Sequence, residues 1–186
     1  MLYETERLLV RQWEAKDAQA LFGYACDPEV TRMLRFPTYK TVKEAESRIA
    51  DMRANYDMSS GGLCSETDWA VQLKETGAVI GAIGVTETFD SATGTVELGY
   101  VMNRLYQGRG YMTEAVVGML CYIKENPRQG DVQVKKVIAK YAVNNPASGR
   151  VMEKAGMALR EVRKDGTWNN ESGGCPIDCV VYEVRV

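Results

Sequence analysis

Histidine is absent from the 186 residues. That removes every Ser–His or Cys–His nucleophile pair and every His-ligated metal site. Any acid–base catalyst must then be Glu, Asp, Tyr, Lys, Cys or water. Cysteine is sparse: Cys26, Cys64, Cys121, Cys175 and Cys179 are scattered and odd in number, which argues for reduced thiols rather than a disulfide framework. Cys175 and Cys179 have no second pair to complete a zinc tetrad, so no metal is expected. No apolar run approaches the ~20 residues that cross a bilayer. Met1–Arg7 lacks a signal-peptide pattern, and the expectation is a cytoplasmic protein. An excess of positive charge is also missing. Lys and Arg number 23 against 25 Asp and Glu, a net charge of −2. A broad basic surface for non-specific nucleic-acid binding is therefore not expected, and neither nucleic acid nor membrane is an expected partner.

What is present reads as one globular domain, residues 1–186. Hydrophobic residues make up 45% and charged residues 26%, which excludes disorder, collagen and coiled coil as the main architecture. A chain of this length buries roughly 70% of the surface its unfolded form exposes. No internal repeat or long linker interrupts it.

Arg7–Trp13 reads as a first strand. Asp17 caps a short helix through Phe22, and Asp27-Pro28 opens another. Thr41–Tyr56 carries Val42, Ala45, Ile49, Met52 and Tyr56 near the 3.6-residue period of an amphipathic helix. Asp57–Asp68, rich in Ser and Gly, reads as a loop. Strands follow at Trp69–Lys74, Ile80–Val85 and Thr95–Met102, the last after a turn at Asp90–Gly94. A helix starts near Met112, with Val116, Leu120 and Ile123 on one face. Glu125–Asp131 is a polar connection and Lys136–Val143 a strand. Asn145 and Pro146 open a helix that Gly156 stops. Two closing strands lie near Leu159–Lys164 and Asp178–Arg185. The order predicts an α+β or α/β layer of helices on a mixed central sheet.

The segment richest in chemistry runs from Glu97 to Ala115. A strand enters the turn Gln107-Gly108-Arg109-Gly110, which opens directly onto a helix. Glycines let the backbone turn tightly, and the unpaired N–H groups of a helix start suit a phosphate or pyrophosphate. A Walker ending is absent, and Glu114 stands where a dinucleotide fingerprint needs its third glycine. From the glycines alone, a ligand-free strand–helix turn reads equally well.

This segment resembles the acyl-CoA-binding motif of the GNAT superfamily of N-acetyltransferases, Arg/Gln-x-x-Gly-x-Gly/Ala. Gln107, Gly110 and Met112 occupy its fixed positions, Met112 replacing the usual small residue. The resemblance extends along most of the chain and is closest to the RimJ/RimL branch. It includes Thr5–Arg11, Asp27–Val30, Ile80–Gly84, Glu97–Tyr100 and Asn145–Met157. The last matches Asn-x-x-Ser-x-Arg-Val-x-Glu-Lys-x-Gly-Phe, with Met157 in place of Phe.

The resemblance implies a three-layer fold whose mostly antiparallel sheet splays between its fourth and fifth strands, here Thr95–Met102 and Lys136–Val143. Acetyl-CoA, a co-substrate, would lie in that V and pass its acetyl group to a primary amine, either a protein N-terminus or a small molecule. Pantetheine would pair with the backbone of Tyr100, Val101 and Met102. The pyrophosphate would sit on N–H groups from Gly108 to Thr113, with Met112 among them. Arg109 either adds charge there or is solvated. Gly99 suits either a bulge that opens the V or a simple kink. Glu97 is the first candidate for the base, acting directly or through water, and Glu87 a lesser one.

The position where many relatives carry a tyrosine acid holds Met152. Ser148 either reaches the sulfur or a cofactor amide, or bonds within its own helix turn. Asn145 is a cap or a pantetheine contact. Tyr100 and Tyr141 read as packing residues. Acceptor contacts are expected from Asp27–Tyr39 and Asp165–Gly174, where Trp168 either stacks on an acceptor or covers the hairpin, and where Glu29 is either solvated or attracts a cationic amine. A homodimer is a family-level expectation. Two other readings remain: a non-catalytic acyl-CoA sensor of the same fold, and a nucleotide-binding protein of another fold.

Overall fold

A computed structural model describes residues 1–58, 63, 66–129 and 132–186. The side chains of Asp57, Met58, Glu87, Thr88, Phe89 and Gln129 lie outside the described set. The sheet is built from β1 (Tyr3–Glu4), β2 (Leu8–Arg11), β3 (Thr67–Leu73), β4 (Val79–Asp90), β5 (Thr95–Met102), β8 (Lys136–Ala142), β9 (Ala158–Thr167) and β10 (Ile177–Arg185). Its order is β1-β2-β3-β4-β5-β8-β10-β9. The β5–β8 pair is parallel, and its other pairs are antiparallel. A two-stranded ribbon, β6 (Arg128–Gln129) and β7 (Val132–Gln133), lies in the connection read as polar coil. Two-residue strands are too short to show a period in sequence, and β1 was missed for the same reason.

The helices are α1 (Ala18–Ala25), α2 (Pro28–Thr31), α3 (Val42–Met58), α4 (Tyr111–Glu125) and α5 (Pro146–Lys154). On α3 the predicted stripe packs inward, with Ala45, Ile49, Met52 and Tyr56 all buried. Half of the loop expected at Asp57–Asp68 lies outside the described residues; within them, α3 runs on to Met58 and β3 begins at Thr67.

Successive strand residues face opposite sides of a sheet, and the register assigns the helices to faces. Asp68, Gly84 and Gly99 are cross-strand partners on β3, β4 and β5. Arg48 of α3 reaches Asp68 at 3.4 Å. The neighbour of Gly99, Tyr100, faces the other way and bonds to Ser148 of α5. So α1 and α3 pack on one face of the sheet and α4 and α5 on the other, three layers in all.

Asp17 differs from its expected role. It occupies the N-cap position of α1, but its side chain makes no capping hydrogen bond there; it takes a two-point grip from Arg11, Nη1 to Oδ2 at 2.7 Å and Nη2 to Oδ1 at 3.0 Å. It also accepts the Glu14 N–H at 2.8 Å. The pair joins β2 to the start of the helical layer in a buried setting. Burial pushes the Asp17 carboxyl upward, but the bonds from Arg11 and Glu14 outweigh it and hold the pKa below the usual carboxylate range.

Candidate functional site

The β5–β8 ladder begins at Thr95–Lys136 and ends at Leu98–Ala139. On its other side β5 stays paired to β4 as far as Met102. Among the described residues, Gly99–Met102 therefore has a strand on one edge and none on the other. A parallel pair also sends both strands' C-termini to the same end of the sheet. Two helices start there: α4 follows β5 through Gly110, and α5 follows β8 through Asn145. One gap in the sheet thus lies beside two helix N-termini.

Gly99 itself is regularly paired with Gly84 and carries no bulge. The irregularity is on β4, where the partners step from Val85–Leu98 to Phe89–Val96. A side chain at 99 would meet Thr86 Cγ2 at 2.7 Å, so close approach of β4 explains this glycine. Glu97 stands opposite the β4 bulge.

The turn after β5 is fixed by its own side chains. The Asn103 Oδ1 accepts the Leu105 N–H at 3.0 Å, starting one 3₁₀ turn. Gln107 Nε2 donates to the Met102 carbonyl at 3.0 Å, capping the end of the open edge. Gly108 and Gly110 have φ of +77° and +80°, the left-handed region that L side chains rarely enter. A Cβ at Gly108 would meet nothing within 4 Å, so conformation and not crowding calls for glycine. The first-turn N–H groups of α4 have no intrahelical acceptors and open toward the cleft lined by Gly108, Gly110, Tyr111, Met112 and Thr113. Arg109 does not line that cleft; its guanidinium lies 5.8 Å from the Tyr106 ring centroid. Glu114 accepts from Thr5 Oγ1 at 2.6 Å and from the Arg7 backbone and side chain at 2.9 and 2.6 Å, tying the β1–β2 turn to α4.

On α5 the expected cap is not made. Asn145 occupies the N-cap, but its side chain forms no capping hydrogen bond and lines the cleft. Ser148 Oγ donates to the Tyr100 hydroxyl at 3.0 Å, and that hydroxyl donates to the Ser148 carbonyl at 2.8 Å. Tyr100 therefore crosses from β5 to α5 at the open end of the ladder. Burial holds its phenol well above the ordinary range, the Ser148 bond acting weakly the other way. Tyr141 packs under α5: a Cβ on Gly149 would come within 2.6 Å of its ring. Met152 is buried in the core.

The cleft holds about 460 Å³ and is lined by the β5 edge, by Val30, Met33 and Leu34 at and after α2, and by α5 residues as far as Lys154. Tyr100, Val101, Met102, Gln107, Gly108, Gly110, Met112, Thr113, Asn145 and Ser148 all line it. Sequence reasoning assigned no role to Arg150 and Lys154, which also line it; with Ala147 and Val151 they stand at i, i+3, i+4 and i+7 of one helix face, which was the available signal.

Glu97 is not in that lining. It is 4% exposed, lies on the sheet face opposite Tyr100, and pairs with Lys140 Nζ at 3.2 Å. It stands one residue before the last rung of the ladder, at the apex of the V on the other face. The Glu87 side chain lies outside the described residues.

The expected acceptor segments do meet. Asn170 and Glu171 donate their N–H groups to the Leu34 and Arg32 carbonyls at 3.0 and 2.8 Å. Arg32 Nη1 reaches Glu171 at 2.6 Å, and Glu171 accepts from Asn144 Nδ2 at 2.7 Å. The β9–β10 loop is thereby strapped to the segment after α2, at the α2 end of the cleft. Glu29 lines this end, paired with Arg32 at 3.2 Å. Trp168 stays 40% exposed beside the strap.

A match to the acetyltransferase (GNAT) domain family spans residues 7–158. The chain belongs to the GNAT acetyltransferase family. Among GNAT relatives, the uncharacterized N-acetyltransferase p20 of Bacillus licheniformis is 34% identical over 118 residues, an alignment spanning 63% of each chain. The uncharacterized N-acetyltransferase YnaD of Bacillus subtilis is 32% identical over 154 residues, 82% of this chain and 80% of the relative. A GNAT-family acetyltransferase from Bacillus anthracis superposes with a TM-score of 0.78 at 26% identity, over 98% of this chain and 96% of that one. The microcin C7 self-immunity acetyltransferase MccE, solved with acetyl-CoA and AMP, gives 0.80 at 17% identity over 98% and 94%. RimL, a ribosomal L7/L12 alpha-N-protein acetyltransferase solved with coenzyme A, gives 0.77 at 16% over 100% and 97%. At those last two identities the likeness is one of fold. The GNAT fold described here, an open mixed sheet between helical layers, is shared by all three structures.

Proposed function

We propose that this GNAT domain moves an acetyl group from acetyl-CoA to a primary amine, in the manner of the RimJ/RimL branch. The observation that carries the reading is the unpartnered edge Gly99–Met102 running into the N–H groups of Gly108–Thr113. The free edge suits the amides of an extended thioester arm. The turn beyond it suits phosphate oxygens. The same fold in MccE was solved with acetyl-CoA and in RimL with coenzyme A. The residues present therefore fit this co-substrate.

Chemistry assigns the remaining roles. An ammonium has no lone pair, so the acceptor nitrogen must lose a proton before it attacks. Glu97 would take that proton, directly or through water, on the face away from Tyr100. The carbonyl oxygen gains charge as the C–N bond forms, and a β5 backbone N–H would receive it. The C–S bond then breaks. A thiol with a pKa of ~8.5 leaves readily, and Ser148 Oγ would donate to it. Asn145, free of capping, would contact an amide of the arm. RimJ/RimL likeness rests on the five segments Thr5–Arg11, Asp27–Val30, Ile80–Gly84, Glu97–Tyr100 and Asn145–Met157 in that order, and supports a protein N-terminus or a small amine as acceptor.

A second reading, an acyl-CoA sensor without turnover, is favoured by one observation: the usual tyrosine-acid position is Met152, and it is buried. The test is free-thiol release from acetyl-CoA with a panel of amines and N-terminal peptides. Steady release with some acceptor is expected, and Glu97→Gln should lower the rate about 100-fold. Tight binding with no turnover across the panel would leave the sensor reading. A Glu97→Gln rate like wild type would remove Glu97 as base.

A further inference from the structure

The last rung of the β5–β8 ladder is Leu98–Ala139. The residues after it, Gly99 on β5 and Lys140 on β8, are the first to face each other across the gap. Side chains alternate along a strand, so Lys140 shares a sheet face with Ile138 and with Glu97, the cross-strand partner of Ile138. Its backbone is fixed from the other edge by β10, where it pairs with Val181. Gly99 places no side chain in the gap. Lys140 Nζ reaches Glu97 at 3.2 Å, and the lysine side chain keeps 19% exposure. A primary amine, the carboxylate assigned to deprotonate one, and the point where the strands part therefore meet on one face.

Two other lysines show what sets Lys140 apart. Lys136 lies on the same face of β8, but opposite Thr95 at the closed end of the ladder, four residues or about 13 Å back along the strand. Lys154 lines the cleft from α5, on the Tyr100 face of the sheet and away from Glu97. Lys140 alone of the three stands beside both the carboxylate and the gap. Groups held this way react as one molecule, without the cost of bringing two together.

We propose that Lys140 is an internal acceptor: with acetyl-CoA bound and no outside amine present, the chain acetylates its own Lys140 Nζ. This rests on the reading of the cleft as an acetyl-CoA site. The ammonium gives one proton to Glu97, which passes it to solvent. The freed nitrogen lone pair forms a C–N bond to the thioester carbonyl carbon. The C–S bond breaks with its electron pair on sulfur, and the second nitrogen proton ends on that thiolate. The products are an acetyl-lysine and coenzyme A. Acetylation removes the charge that pairs with Glu97, and an amide nitrogen does not attack again, so the step runs once per chain.

The test is incubation of the full chain with isotope-labelled acetyl-CoA and no acceptor, the label being located by peptide mass spectrometry. Calorimetry reports acetyl-CoA binding alongside. Lys140 should take up label at least about tenfold faster than Lys136 or the exposed Lys16, with a rate constant independent of protein concentration. Glu97→Gln, its fold confirmed by circular dichroism, should slow Lys140 labelling about 100-fold and leave Lys16 labelling as it was. The site and concentration measurements on wild type stand whether or not that variant folds. Acetyl-CoA binding with Lys140 labelled no faster than Lys16 would overturn the proposal and leave the cleft reading intact. A rate constant that rises with protein concentration would overturn it by making the transfer intermolecular, and unslowed labelling in the folded Glu97→Gln variant would overturn the assigned step. No binding of acetyl-CoA to wild type would overturn both this proposal and the cleft reading beneath it.

Discussion

A serine hydroxyl has one proton, and in this cleft Ser148 directs it at the Tyr100 phenol. For Ser148 to serve a departing thiolate, that bond must be exchanged for one to sulfur. Tyr100 keeps its own anchor on the Ser148 carbonyl, so it holds the first turn of α5 while the hydroxyl rotates. The two side chains should then separate in kinetics. Ser148→Ala is expected to lower kcat by about tenfold or more, with KM for acetyl-CoA little changed. Tyr100→Phe removes the anchor and should raise KM more than it lowers kcat. Identical profiles for the two variants in the thiol-release assay would contradict the division. Sequence alone offered Ser148 two roles and read Tyr100 as packing, because the bond joining them spans 48 residues and leaves no local trace.

At the scale of elements, the turn between β5 and α4 is the part whose backbone is least replaceable. Gly110→Ala meets nothing closer than the Arg7 guanidinium at 3.6 Å, so its cost is conformational, on the order of 1 kcal/mol at φ +80°. In a chain of this size that lowers the melting temperature by about 3 °C. Coenzyme A affinity should fall several-fold, because the same residue aims the N–H groups. Unchanged melting and unchanged affinity would contradict the account.

This element was legible beforehand. Thr95–Met102 is observed with the bounds its pattern gave, and the glycines marked the turn. Other elements were not. β4 continues five residues past Val85 because a bulge lets it re-pair with β5, and a bulge has no hydrophobic period. Asn145 read as a cap or a pantetheine contact, since Asn before Pro favours the first role and the family resemblance implies the second. The geometry of its own backbone, φ −121° and ψ 61°, instead leaves the side chain to the cleft.

For the whole molecule, the central feature is a parallel pair inside an otherwise antiparallel sheet. The α4 crossover needed to make β8 parallel to β5 is what brings two helix starts to one gap. The order of elements predicted helices layered on a mixed sheet. The position of the gap required the register, which pairs residues some 41 apart in sequence.

Stability of the frame rests partly on the Arg11–Asp17 clamp, far from the cleft. Asp17→Asn removes the two-point partner of the buried Arg11 guanidinium, leaving only Glu14 at 3.6 Å as counter-charge, and should cost up to about 3 kcal/mol. The folded-state pKa of Asp17 is depressed, so its contribution is fully present above the unfolded value of about 3.9 and is lost as pH falls through the folded value. Urea unfolding from pH 7 to pH 2 should therefore show a component below pH 4 that Asp17→Asn lacks; parallel curves for both proteins would contradict the clamp.

The most direct measurement of the central claim is amide hydrogen exchange with and without acetyl-CoA. The account predicts new protection at Gly99–Met102 and Gly108–Thr113, with β1 and β2 unchanged. Protection confined to other segments, or none at a saturating concentration, would contradict it.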